Sequence, residues 1–149
     1  MSRKSLPGRA WLWLPPLVYM LLIFFLSSES APLPEVTTRV WDKLLHAIEY
    51  GTLAVLFCRA FIGEGYGRLA AIGLAFAFTT AYAASDEWHQ LFVPSRSSDL
   101  YDWIADSIGG GAGLAAFAAI DLLVHGRAHD RPTANLTPIE SRDIQSLDR

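Results

Sequence analysis

The chain has 149 residues, a formal net charge of −3, one cysteine, and 52% hydrophobic against 18% charged residues. So much apolar and aromatic material with so little charge excludes an extended, solvated chain, and the lone Cys58 excludes an intrachain disulfide scaffold. The twelve Lys and Arg residues form no basic block and are outnumbered by fifteen acids, so nucleic acid is not an expected partner.

Residues 10–28 carry no charge and are rich in Leu, Ile, Phe, Val and Trp. That is about the length needed to cross a hydrocarbon core roughly 30 Å thick. A cleaved signal peptide is the alternative for this segment, with Arg3, Lys4 and Arg9 before the run and Ser28-Glu29-Ser30 as a cleavage site. The run is longer than the roughly 7–15 residues of a signal-peptide core, which favours a span. Pro15-Pro16 lies near its start and removes two helical donors, consistent with a bend or a start signal.

The next span is expected at 42–61, although it holds Asp42, Lys43, His46, Glu49 and Arg59. A third, at 69–91, opens with seventeen uncharged residues, and a fourth at 100–123 contains Asp102, Asp106 and Asp121. Pro32 and Pro34, then Gly63, Gly65 and Gly67, then Pro94 mark the three intervening loops. From about residue 126 the composition turns to Asp, Arg, Pro, Thr, Asn and Ser, and a polar, mobile cytoplasmic tail is expected. The fold expected is therefore all-α: an integral membrane four-helix bundle with short loops, preceded by a short N-terminus at 1–9.

Basic residues near span ends are retained in the cytoplasm. Arg3, Lys4, Arg9, Arg59, Arg68, Arg127 and Arg131 fall on one side, against Arg39, Lys43 and Arg96 on the other. Both termini are expected inside, with the loops at 29–41 and 93–99 facing outward. On that topology the polar residues of the second, third and fourth spans share one leaflet. At 100° per residue, Asp42, His46 and Glu49 fall within about 60° of arc, as do Asp99, Asp102 and Asp106, while Asp86 and Gln90 are one turn apart.

A carboxylate facing lipid costs at least about 2.5 kcal/mol at mid-depth, so these stripes are expected to face one another. On the fourth span the same face continues into Gly109, Gly110 and Gly113, a small-residue seam for close helix packing. Lipid would then meet Leu100, Ile104, Ala115 and Phe117. The cluster so assembled is Asp42, His46, Glu49, Asp86, Glu87, Gln90, Arg96, Asp99, Asp102 and Asp106, with Tyr50 and His89 at its margins. Its acids exceed its bases, so protons, a cation or a cationic ligand group would be needed to balance it.

Several chemistries stay open. His46, Glu49, Asp102 and Asp106 supply nitrogen and oxygen donors suited to a divalent cation, although no cofactor is established by any motif. Paired carboxylates also suit acid/base work or a proton path. The plainest alternative is structural: Lys43 and Arg96 pair with acids to staple helices, His46 is a hydrogen-bonded bundle residue, and Trp11, Trp13, Trp41, Trp88 and Trp103 anchor at the interfaces. Nucleophile elbow, glycine-rich phosphate loop and Cys-x-x-Cys are all missing from the sequence.

The run Asp42-Lys43-x-x-His46 with Tyr50, then Asp86-Glu87-x-x-Gln90-x-x-x-Pro94-x-Arg96-x-x-Asp99, then Asp102-x-x-x-Asp106-x-x-Gly109-x-x-x-Gly113, resembles the VanZ-like family of small bacterial membrane proteins. The likeness covers roughly residues 10–125, and the stretch from Asp86 to Gly113 is its specific part. Many members carry Asn where this chain has Asp106, which adds a negative charge. The resemblance implies an integral protein of the bacterial cytoplasmic membrane with four or five helices. The family is named for a member linked to low-level resistance to the glycopeptide teicoplanin, and membership implies neither a settled activity nor resistance here. The expectation is an outward-facing acidic intramembrane site that binds an envelope lipid headgroup or a glycopeptide-related ligand. A metal-assisted enzyme acting on an envelope lipid and a partner-binding helix bundle are the rivals.

Overall fold

A computed structural model describes residues 6–29, 39–94, 96 and 98–129. Four helices account for the regular structure in them: α1 (Leu6–Ser28), α2 (Arg39–Glu64), α3 (Arg68–Gln90) and α4 (Leu100–His129). Each contains a stretch long and apolar enough to span a bilayer: Gly8–Ser28, Lys43–Glu64, Arg68–Gln90 and Leu100–Val124. Helices are forced on such segments because every backbone N–H and C=O must be satisfied without water. Leu17, Val18, Leu21, Phe25, Leu122 and Leu123 point outward, the reverse of a soluble bundle and the surface a lipid solvent requires.

The helices run longer than hydropathy alone marks. α2 begins at Arg39 and ends at Glu64, beyond the 42–61 expected. α4 continues to His129, past 123 and into the start of the stretch read as a tail; residues 130–149 lie outside the described part. α1 runs through Pro15 and Pro16 without interruption. Their missing N–H groups leave the carbonyls of Trp11 and Leu12 without helical donors.

The core is small-residue packing around aromatic rings. On α3, Ala71, Ala75, Thr79 and Ala83 are buried at four-residue spacing, and the same face turns polar at Asp86, Glu87 and Gln90. Against it α2 sets Tyr50, Leu53, Ala54, Phe57, Cys58 and Phe61. α2 and α4 run parallel and touch backbone to backbone. A Cβ on Gly109 would come within 2.4 Å of Ala47 Cα, and one on Gly113 within 2.5 Å of the Gly51 carbonyl oxygen. Glycine at 109 and 113 is therefore a condition of this contact.

At one end of the bundle Arg9 pairs with Glu64 at 2.9 Å, Trp13 Nε1 donates to the same carboxylate at 3.0 Å, and Arg68 pairs with Asp121. Here α2 stops at Gly65, whose φ of 103° is left-handed. Tyr66 N donates to Phe61 O and Gly65 N to Ile62 O, and the Tyr66 ring packs edge-on to Phe61, completing a glycine stop signal. Trp13 and Trp103 are thus not simple interfacial anchors. Trp13 packs on Phe57 and Phe61, and Trp103 Nε1 donates to Thr80 O at 3.2 Å. Trp11 and Trp88 are exposed. Phe117, expected to face lipid, packs against the core instead.

Candidate functional site

At the other end, the first turns of α2 and α4 meet the last turn of α3 and the C-terminus of α1. Asp99 caps α4: its Oδ1 accepts from Tyr101 N at 2.8 Å, and Asp102 N donates to its carbonyl at 2.9 Å. That cap turns Asp102 and Asp106 toward α2. Lys43 Nζ binds Asp102 and lies 3.8 Å from Asp99 Oδ2. One turn further in, His46 Nδ1 is 3.2 Å from Asp106 Oδ1, a carboxylate only 1% exposed. Spacings of three and four residues on both helices stack the two pairs one above the other.

α3 contributes two buried carboxylates, Asp86 and Glu87. Gln90 Nε2 donates to Asp86 Oδ2 at 3.4 Å and to Ser27 Oγ of α1 at 3.2 Å. Glu87 Oε2 accepts from Asp99 N at 2.8 Å, tying α3 to the start of α4. Asp86 Oδ1, Glu87 Oε1 and the Tyr50 hydroxyl are all buried, the Tyr50 hydroxyl bonding to the Asp86 carboxylate and Glu87 reaching Ser98 as well as Asp99. Tyr50 is fully buried and within electrostatic reach of Asp86 and Asp106, its ring 6.3 Å from that of Tyr82. These groups make one buried, strongly acidic cluster at this end of the bundle.

His46, Asp86, Glu87, Gln90, Asp99, Asp102 and Asp106 therefore converge on one end of the bundle. The Asp42 side chain lies outside the described residues. Glu49 is half-buried, three residues beyond His46 on α2. Arg96 stands apart from the carboxylates: its Nε donates to Glu29 O at 3.2 Å and Nη2 to Leu26 O at 3.5 Å. It closes the C-terminus of α1, where a cation complements the helix dipole. His89 does similar work, meeting Ser28 Oγ at 3.1 Å and lying 4.6 Å from the Phe24 ring.

Lys43, Ser27 and Tyr50 matter more here than sequence reasoning allowed. Lys43, His46 and Tyr50 recur at three and four residues, a face next to the Asp42–His46–Glu49 stripe and the one that meets α4. That spacing was the available signal, and the greater acidity of the neighbouring stripe hid it. Among the described residues no three of His, Cys, Asp and Glu converge in metal-binding geometry.

The VanZ/LLP1 family model matches residues 11–123, a region that holds the second and third spans, nearly all of the first and fourth, and every residue of this cluster. No curated protein and no solved structure matches the chain.

Proposed function

The chain belongs to the VanZ-like family, and from that premise we propose that this membrane protein uses the polar end of its bundle to bind the polar part of a cell-envelope molecule, a lipid headgroup above all. One observation carries the reading: the buried carboxylates of Asp86, Glu87 and Asp106 gather with Asp99 and Asp102 at one end of the bundle, where the basic side chains of Lys43 and His46 are in contact with them. Buried carboxylates in excess of cations call for protons, or for a ligand that brings donors or positive charge. The mixture of carboxylates with Lys43 and His46 suits a ligand that carries donors as well as a negative group. The count of basic residues by loop, seven against three, orients this end outward and both termini into the cytoplasm of a bacterial cell.

The test is native mass spectrometry of the purified full chain after exposure to a bacterial lipid extract. Asp86→Asn and Glu87→Gln should each lower retained lipid at least tenfold, about 1.4 kcal/mol, with thermal unfolding unchanged within a few degrees. Equal retention in both variants would leave the network a helix staple. Teicoplanin is the natural second probe, given the family's name.

A second reading is favoured by the His46–Asp106 contact alone. A histidine oriented by a buried carboxylate is the arrangement of a general base, and an enzyme acting on an envelope lipid would use it. Turnover of a lipid substrate that disappears in His46→Ala while binding persists would establish it.

A further inference from the structure

An apolar groove of about 610 Å³ runs down the outer side of the α2–α4 pair, from Leu44 past Ile48 and Val55 on one wall and past Ala116 to Ile120 on the other. Its volume is that of a small-molecule site, roughly 300–1,000 Å³. Its floor is low because Gly51, Gly109 and Gly113 have no side chains to fill it. Those glycines are already used in closing α2 on α4, so a further helix cannot reach them at backbone distance. From Leu44 to Leu56, at 1.5 Å per residue, the groove is about 18 Å long. One leaflet of hydrocarbon is about 15 Å deep. The dimensions are those of a single extended acyl chain.

The groove itself is lined without charge, and the end of the α2–α4 pair at which it starts is charged in a particular way. Lys43 immediately precedes Leu44, about 100° further round α2 toward α4, and Asp102 lies seven residues before Gly109, on the same side of α4 to within about 20°. Lys43 Nζ binds Asp102 and lies 3.8 Å from Asp99, and the Lys43 and Asp99 side chains are 39% and 43% exposed. A positive and a negative group thus stand side by side at the surface, and the trio carries a net negative charge. An anionic headgroup would meet like charge there. A headgroup with a phosphate next to a primary ammonium complements it, phosphate to Lys43 and ammonium to Asp99.

We infer that the α2–α4 groove holds one acyl chain of a phosphatidylethanolamine-type phospholipid, with its zwitterionic headgroup on Lys43 and Asp99. This rests on the reading that the polar end receives a headgroup, and it names the chemistry of that ligand.

The full chain, delipidated in detergent, is titrated with dipalmitoyl phosphatidylethanolamine or dipalmitoyl phosphatidylglycerol and followed by native mass spectrometry. One phosphatidylethanolamine per chain is expected, retained at least fivefold over phosphatidylglycerol. Ala116→Phe fills the groove from its exposed rim and should lower retention at least tenfold. Ala77→Phe, on the lipid-facing side of α3, should leave it unchanged. Lys43→Gln should erase the preference between the two lipids. Full retention by Ala116→Phe overturns the groove assignment whatever happens at the polar end. Equal binding of the two lipids, with retention still lost in Ala116→Phe, overturns the headgroup assignment alone. A dimer that dissociates in Ala116→Phe without bound lipid would make the groove an interface between copies and overturn both.

Discussion

Gly109 and Gly111 are two residues apart on α4 and have opposite roles. A Cβ at 109 would overlap Ala47 backbone atoms at 2.2–2.7 Å, whereas at 111 the nearest atom is Phe76 Cε2 at 3.7 Å, ordinary contact. Gly111→Ala should therefore be neutral or stabilising by up to about 1 kcal/mol, the helix-propensity difference. Gly109→Ala should cost roughly 1–3 kcal/mol by forcing the helices apart. Thermal unfolding in one detergent measures both, and similar shifts for the two would contradict the backbone contact between α2 and α4. The sequence alone marks all these glycines as small without saying which one a neighbour touches.

Among whole helices, α1 is held at its C-terminus by few polar contacts: Ser27 with Gln90, Ser28 with His89, and Arg96 on the carbonyls of Leu26 and Glu29. Arg96→Ala should loosen this end and speed proteolysis near Glu29 severalfold, while Arg142→Ala, far along the chain, should not. A protease time course on the two variants distinguishes them. The helices themselves were legible, because a charge-free run of span length admits few other structures. Their ends were less so. Hydropathy stops at the first charge, but Arg39 and Glu64 extend α2 into regions where charged side chains meet water or each other.

Arg96 and Lys43 show where pattern reading runs out. Helical periodicity gives the angle of a residue on its own helix, not the identity of the helix opposite. Both cations were expected to balance acids. Lys43 does so, at Asp102, while Arg96 turns to backbone carbonyls because the loop after α3 carries it past the carboxylates to the end of α1.

For the molecule as a whole, the direction of insertion decides which compartment the acidic end of the bundle faces. Cys58 is buried, so it leaves little labelling background. Gly67→Cys sits in open space with an ordinary backbone conformation, and Ser98 is exposed at the opposite end. In intact cells an impermeant maleimide should label Ser98→Cys and spare Gly67→Cys. The reverse pattern would turn the acidic cluster toward the cytoplasm. Alternating antiparallel helices make the relation between the two positions fixed, whereas the absolute direction follows only from the distribution of basic residues.

The glycine contact between α2 and α4 also limits how this protein can move. With backbone against backbone, a slip of α4 by one residue would drive Ile108 or Ala112 into the space now free at Ala47 and Gly51, so the two helices are keyed like a tongue in its slot. His46 and Asp106 inherit a fixed separation from that joint. Relative displacement of α1 or α3 would leave that separation unchanged.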